Sequence, residues 1–211
     1  MTVACVLKSG GVFTPEWVYR LQTQCSRYLP AHNFVCLTDL ELDCETIPLE
    51  NDWPGFWSKL ELWRPDILTG RNVFFDLDTL IVRDASCLFD YNGNLAGIDD
   101  FFHPSLTATG VLAWDGSTTR NIWAWIQNNP PPFEGRSDRY LDPLFSTADR
   151  LQVYYPGLIG SYKAHHLADG ARGYSVVCFH GKPRLSDLPP NNWARQHWEA
   201  QDGIWQNARA A

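Results

Sequence analysis

The chain has 211 residues, 45% of them hydrophobic and 19% charged, which fits one globular domain large enough to bury a core. Its net charge of −7 excludes a broad nucleic-acid-binding surface, which needs clustered Lys and Arg. The sequence holds no apolar run of about 18 residues and no basic segment leading into an apolar one, so neither a membrane span nor a signal peptide is expected.

Residues 2–7 are apolar and β-prone, and Lys8-Ser9-Gly10-Gly11 breaks the run. Thr14-Pro15-Glu16 reads as a helix start, with Thr as cap and Pro at the first helical position. Trp17, Leu21, Cys25 and Tyr28 continue it as an apolar stripe. Residues 33–38 form a second strand ending at Asp39, and residues 44–47 a third, short one. This opening predicts a parallel α/β layer, whose strand carboxyl ends are where such sheets bind ligands. Residues 57–64 predict a helix ended by Pro65, with Lys59 near its start.

Residues 73–75 read as a buried strand that stops at Asp76-Leu77-Asp78, and residues 80–82 form a second apolar run. Asp84-Ala85-Ser86 caps a short helix, and residues 95–98 and 107–114 are strands. Gly110 in the latter marks a close approach of backbone or ligand. Residues 118–127 alternate at helical spacing, 128–133 form a proline-rich loop, 137–148 a helix and 151–155 a short strand. Residues 174–179 are the last strand, and it runs into His180-Gly181-Lys182-Pro183. The tail from Asn191 carries Trp193, Trp198 and Trp205 in short helices. The six cysteines show no zinc spacing. Cys5, Cys36 and Cys178 sit in apolar runs as small hydrophobes, so the cysteines read as free thiols of a reducing, cytoplasmic compartment.

A buried strand ending in two carboxylates is costly unless positive charge meets them. Carboxylates are hard oxygen ligands suited to Mg²⁺ or Mn²⁺. If the strands before Asp76 and His180 end on one sheet edge, Asp76, Asp78 and His180 make a three-point metal site. Lys182 then sits beside it as a point-charge phosphate ligand, and Gly181 lets a phosphate approach the backbone. A divalent ion beside a lysine is equipment for a departing diphosphate.

Residues 57–82, WSKLELWRPDILTGRNVFFDLDTLIV, together with residues 176–183, VVCFHGKP, resemble the metal-dependent GT-A glycosyltransferases, and among them glycosyltransferase family 8. The resemblance implies a Rossmann-like α/β domain over residues 1–211, with a mixed, mostly parallel sheet flanked by helices. Residues 1–100 would be the nucleotide-binding half, 101–190 the sugar and acceptor half, and 191–211 a Trp-rich tail. It implies a Mn²⁺- or Mg²⁺-dependent hexosyltransferase that uses a UDP-sugar and a hydroxyl acceptor and retains configuration. Asp76 would contact ribose and metal, Asp78 and His180 would ligate the metal, and Lys182 would hold the β-phosphate. Lys59 would touch the donor phosphate or sugar, and Gly110 would line the donor sugar. Leu7, Lys8, Leu77 and Gly181 complete the implied donor-binding set. Either Asp138 or Asp142 stands for the family's sugar-contacting carboxylate.

Ala108 replaces the family's sugar-contacting Asn, which leaves the donor sugar open, and Lys8-Ser9-Gly10 stands where acidic residues are usual. Lys163, His165 and His166 are further candidates, and Trp53, Trp57, Trp193 and Trp198 are either acceptor shelves or core. Two other readings remain. DLDTL also matches the D-x-D-x-T opening of haloacid-dehalogenase-like phosphatases, although the later acidic pair of that family is missing. The third reading is a non-catalytic nucleotide-sugar binder.

Overall fold

Alternation along the central strands divides the core into two layers. In Thr2–Leu7 (β1), Val3, Cys5 and Leu7 face one cluster and Ala4 the other, as the two-residue period of a strand requires. Arg71–Phe75 (β4) repeats this, with Val73 and Phe75 on the first side and Phe74 on the second. Strands buried on both faces read as continuous apolar runs. The computed structural model describes residues 1–135 and 137–200; the expected helix around Trp205 lies outside them.

Asn33–Thr38 (β2) and Glu45–Pro48 (β3) join these strands in a seven-stranded sheet. Leu95–Asp100 (β6), His103–Asp115 (β7) and Asp149–Arg150 (β8) complete it, in the order β3-β2-β1-β4-β7-β6-β8. β1 pairs parallel with both β2 and β4, while β7 runs antiparallel between β4 and β6. The first core layer is closed by Pro15–Tyr28 (α1) and the second by Thr119–Asn128 (α2) and Ser137–Phe145 (α3).

Thr79–Ile81 (β5) leaves the large sheet. It joins Ile159–Ser161 (β9) and Val176–Cys178 (β10) in a second, three-stranded sheet. The side chain of Gln24, buried on α1, accepts a hydrogen bond from Ile81 N at 2.6 Å and ties this sheet to the first layer. All six cysteines are unpaired thiols.

Two expected elements differ. Residues 55–63 form a 3₁₀ helix rather than an α-helix. Trp57, Ser58, Leu60, Glu61, Leu62 and Trp63 are all buried there, so no polar face exists to set a 3.6-residue period. Residues 151–155 were expected as a strand, and Leu151–Tyr154 (α4) is instead a helical turn closed by Tyr155 N donating to Leu151 O. A strand would place Val153 on the face of Leu151, yet Leu151 is fully buried and Val153 exposed.

Candidate active site

The antiparallel pairing of β5 with β10 builds the site. Thr79 opens β5 opposite Cys178, which closes β10. The residue before one strand therefore meets the residues after the other, and Phe179 N donates to Asp78 O at 3.1 Å. Asp76 and Asp78 thus stand beside His180, although the two strands belong to the small sheet and run in opposite directions. The shared edge anticipated from the sequence is replaced by this turn between sheets. Asp76 N donates to Gly110 O at 2.9 Å, which fixes the D-x-D turn against β7.

Lys59, Asp76, Asp78, Gly110, Asp138, His180 and Gly181 line one cavity of about 510 Å³. Ala108 lines it as well. Phe13, Phe56, Phe101, Phe102, Asp100 and Arg184 also line it, and none of them was singled out in the sequence as a site residue. No motif carries them, because an exposed Phe in a loop has no signature until the fold places it. Phe101 stacks on the His180 ring and Phe102 meets it edge-on.

The 3₁₀ segment delivers Lys59, and a buried carboxylate holds that segment. Glu61 is fully buried, accepts from Glu50 N and Asn51 N at 2.7 and 2.9 Å, and pairs with Arg64 at 2.8 Å. Such a group is tolerated inside because each oxygen has a partner. The Lys59 ammonium lies 2.6 Å from Asp76 Oδ1 and 3.2 Å from Thr109 Oγ1. Thr109 in turn donates to Asp138. Burial pulls the Lys59 pKa down, but Asp76 and Asp138 outweigh it and raise it. Burial pushes the Asp76 carboxyl up against the opposing pull of Lys59. Burial and the Asp76 charge push Asp78 up to about 8. A carboxyl raised in this way marks a site short of positive charge.

That shortage is the test of whether a divalent ion fits. Among the described residues, Lys59 and Arg184 line the cavity with Asp76, Asp78, Asp100 and Asp138, and Arg139 pairs with Asp100. Asp76 and Asp78 supply the hard oxygen donors that Mg²⁺ and Mn²⁺ take. His180 does not complete a ready triad. Its Nε2 lies 2.7 Å from Ser161 Oγ, and no group of three or more His, Cys, Asp or Glu among the described residues is poised to hold a metal. The carboxylate pair fits the ion, while the imidazole would first have to exchange its bond to the fully buried Ser161.

Other expected residues fall elsewhere. Lys182 is exposed and does not line the cavity. Asp142 is ion-paired with Arg139 away from it, which leaves Asp138 as the carboxylate that faces the cavity. Leu7 and Leu77 are buried core. Lys8, just after β1, lies 2.8 Å from Asp39, just after β2, and from Asp52 in the loop after β3. Burial pushes the Asp39 carboxyl up, but Lys8 and Ser9 outweigh it and hold it at about 2. Lys163 donates to His180 O and Lys182 O, clamping the turn at Gly181, where φ is +72°. His165 Nδ1 accepts from Ser161 N, and His166 is exposed. Trp57 and Trp198 are core, Trp53 and Trp193 are part-buried, and none of the four lines the cavity.

This fold occurs in solved structures. A galactosyltransferase, LgtC, solved with donor and acceptor sugar analogues, superposes with a TM-score of 0.68 over 98% of this chain and 99% of its own, at 11% identity. The fold is GT-A. The glycosyltransferase GlyE of Streptococcus pneumoniae TIGR4 gives 0.67 at 12% identity, over 95% of this chain and 59% of its own. The bifunctional glycosyltransferase WbbM gives 0.71 at 10% identity, over 99% of this chain and 50% of its own. No family model matches the chain, and no curated protein does. At these identities the GT-A likeness is a likeness of fold.

Proposed function

We propose that this GT-A domain is a metal-dependent glycosyltransferase that moves a hexose from a nucleotide-diphospho-sugar, with a UDP-sugar as first candidate, to a hydroxyl acceptor. The observation that carries the reading is the meeting of Asp76, Asp78 and the His180-Gly181 turn in one cavity, reached from distant parts of the chain. Asp76 and Asp78 would hold Mn²⁺ or Mg²⁺. The ion would supply positive charge against the diphosphate as it leaves. Lys59 orients Asp76 through their 2.6 Å contact, and its charge opposes the burial that raises the Asp76 carboxyl. Asp138, held by Thr109, faces the space for the sugar hydroxyls.

Gly110 leaves that space open. A Cβ built there would meet Asp76 and Ile98 at only 3.6 and 3.7 Å, so packing within the protein does not demand glycine. The exposed Phe56 and Phe102 give the mouth apolar faces of the kind that pack on sugar rings and keep water out. Retention would follow a front-face displacement, in which the donor phosphate takes the acceptor proton and no protein nucleophile is used. The unpaired thiols support a reducing, cytoplasmic setting. Among the described residues no helix is long and apolar enough to cross a membrane.

The test is a screen of UDP-sugars for Mn²⁺-dependent transfer or slow hydrolysis, with Asp78→Ala as control. Turnover that is abolished in Asp78→Ala while the fold persists supports the reading. An equally active Asp78→Ala enzyme refutes it. The D-x-D-x-T phosphatase reading is set aside because the fold is GT-A and superposes on a glycosyltransferase structure over 98% of this chain.

A further inference from the structure

We infer that Arg184, and not the motif lysine Lys182, is the side chain that grips the diphosphate of the donor; the inference rests on the nucleotide-sugar reading above. Lys182 is exposed and absent from the cavity wall, while Arg184, two residues later, lines it. The turn turns one basic side chain out and the next one in.

Three features fit Arg184 for an anion. Its backbone is pinned: Arg184 N donates to the Asp187 carboxylate at 3.0 Å, Asp187 N donates back to Arg184 O at 3.0 Å, and Leu185 is fully buried. Its guanidinium is uncommitted. Among the described residues no carboxylate lies within ion-pair distance of it, and its Nε is buried without a hydrogen-bond partner. A buried guanidinium N–H without an acceptor is expensive, and a ligand oxygen would satisfy it. The third feature is the surroundings. The Phe13 ring flanks the guanidinium at 5.8 Å, and Asp78 lines the same cavity.

Among the described residues, Lys59 and Lys163 beside the cavity are already committed. Lys59 is paired with Asp76, and Lys163 donates to the carbonyls of His180 and Lys182. Among the described residues Arg184 is therefore the cavity-lining cation with capacity left, and a planar fork of donors suits phosphate oxygens better than a point charge does. Placed beside the D-x-D carboxylates, it would touch the phosphates together with the metal-binding pair rather than the base or the sugar.

The experiment is calorimetric titration of UDP, UMP and uridine into wild type, Arg184→Ala, Arg184→Lys and Lys182→Ala in Mn²⁺, repeated with GDP, ADP and CDP. Loss of charge-assisted hydrogen bonds to phosphate is expected to weaken UDP binding by about 10- to 100-fold in Arg184→Ala. Uridine binding should be unchanged, Arg184→Lys should recover part of the loss, and Lys182→Ala should stay within about threefold of wild type. Arg184 is partly exposed, so thermal melts of the variants should overlay. Arg184→Ala binding UDP as tightly as wild type, or Lys182→Ala suffering the larger loss, overturns the Arg184 assignment alone. Wild type binding no nucleoside diphosphate overturns both this assignment and the glycosyltransferase reading.

Discussion

Replacing Lys59 by Met tests the electrostatics of the cavity floor. Methionine keeps the length and apolar stem of lysine and deletes the charge that sits 2.6 Å from Asp76. Breaking a buried ion pair by removing one partner costs about 3–5 kcal/mol, because the other charge stays behind uncompensated. The Asp76 side chain is 33% exposed toward the cavity, so water recovers part of that, and about 2 kcal/mol is expected at pH 8. For a chain of this size the loss corresponds to a Tm lowered by about 4–8 °C. Lysine is fully charged across the neutral range, so the pH dependence comes from the carboxylates. In Lys59→Met the folded-state pKa of Asp76 rises further, so the folded state takes up protons that the unfolded state does not. The deficit should therefore shrink as pH falls from 8 to 5. Manganese at millimolar concentration should raise the Tm of Lys59→Met more than that of wild type, because the ion replaces the missing charge. The assay is a thermal melt by circular dichroism in EDTA and in Mn²⁺ across that pH range. A Tm within 1 °C of wild type at pH 8, or a deficit that grows toward pH 5, would refute the reasoning.

Further expectations follow from the packing. Gly110→Ala should leave the Tm within about 2 °C, since its Cβ meets only ordinary contacts, yet weaken UDP-sugar binding by intruding into the cavity, as calorimetry would show. Gly160→Ala should be destabilising, because its Cβ would lie 2.7 Å from the Tyr174 ring; overpacking of this kind costs about 1–3 kcal/mol, read by denaturant melts. His197, whose Nε2 lies 3.1 Å from Ile81 O, has its pKa lowered chiefly by burial. The unfolded chain then binds the proton more readily, so wild type should lose stability as pH falls through about 6.5, and His197→Gln should flatten that slope. A wild-type melting profile flat between pH 7.5 and 5.5 would contradict this account of His197.

The fold was legible where strands are buried on both faces. The runs at residues 2–7, 33–38 and 73–75 have no other reading at that length, and turn residues close each one. The acids after Phe75 and the His180-Gly181 turn were legible because charge at the end of a buried strand demands a purpose. The pairing of β5 with β10 was not, since residues 79–81 are too short to reveal which sheet they join. The 3₁₀ segment at 55–63 was hidden by its own burial, and α4 by β-prone residues whose helical turn is held by the burial of Leu151 and by Asp99 N donating to Gln152. The inward placement of Arg184 over Lys182 depends on the path of the turn after Gly181, which residue types do not encode. The choice of Asp138 over Asp142 became visible only when Arg139 was seen to occupy the latter.

The central claim is most directly tested by titrating UDP into the wild-type protein in Mn²⁺ and again in EDTA. The account predicts binding in Mn²⁺ that EDTA abolishes and that Asp78→Ala does not show. Absence of binding by UDP and by every other nucleoside diphosphate in the presence of metal would contradict it.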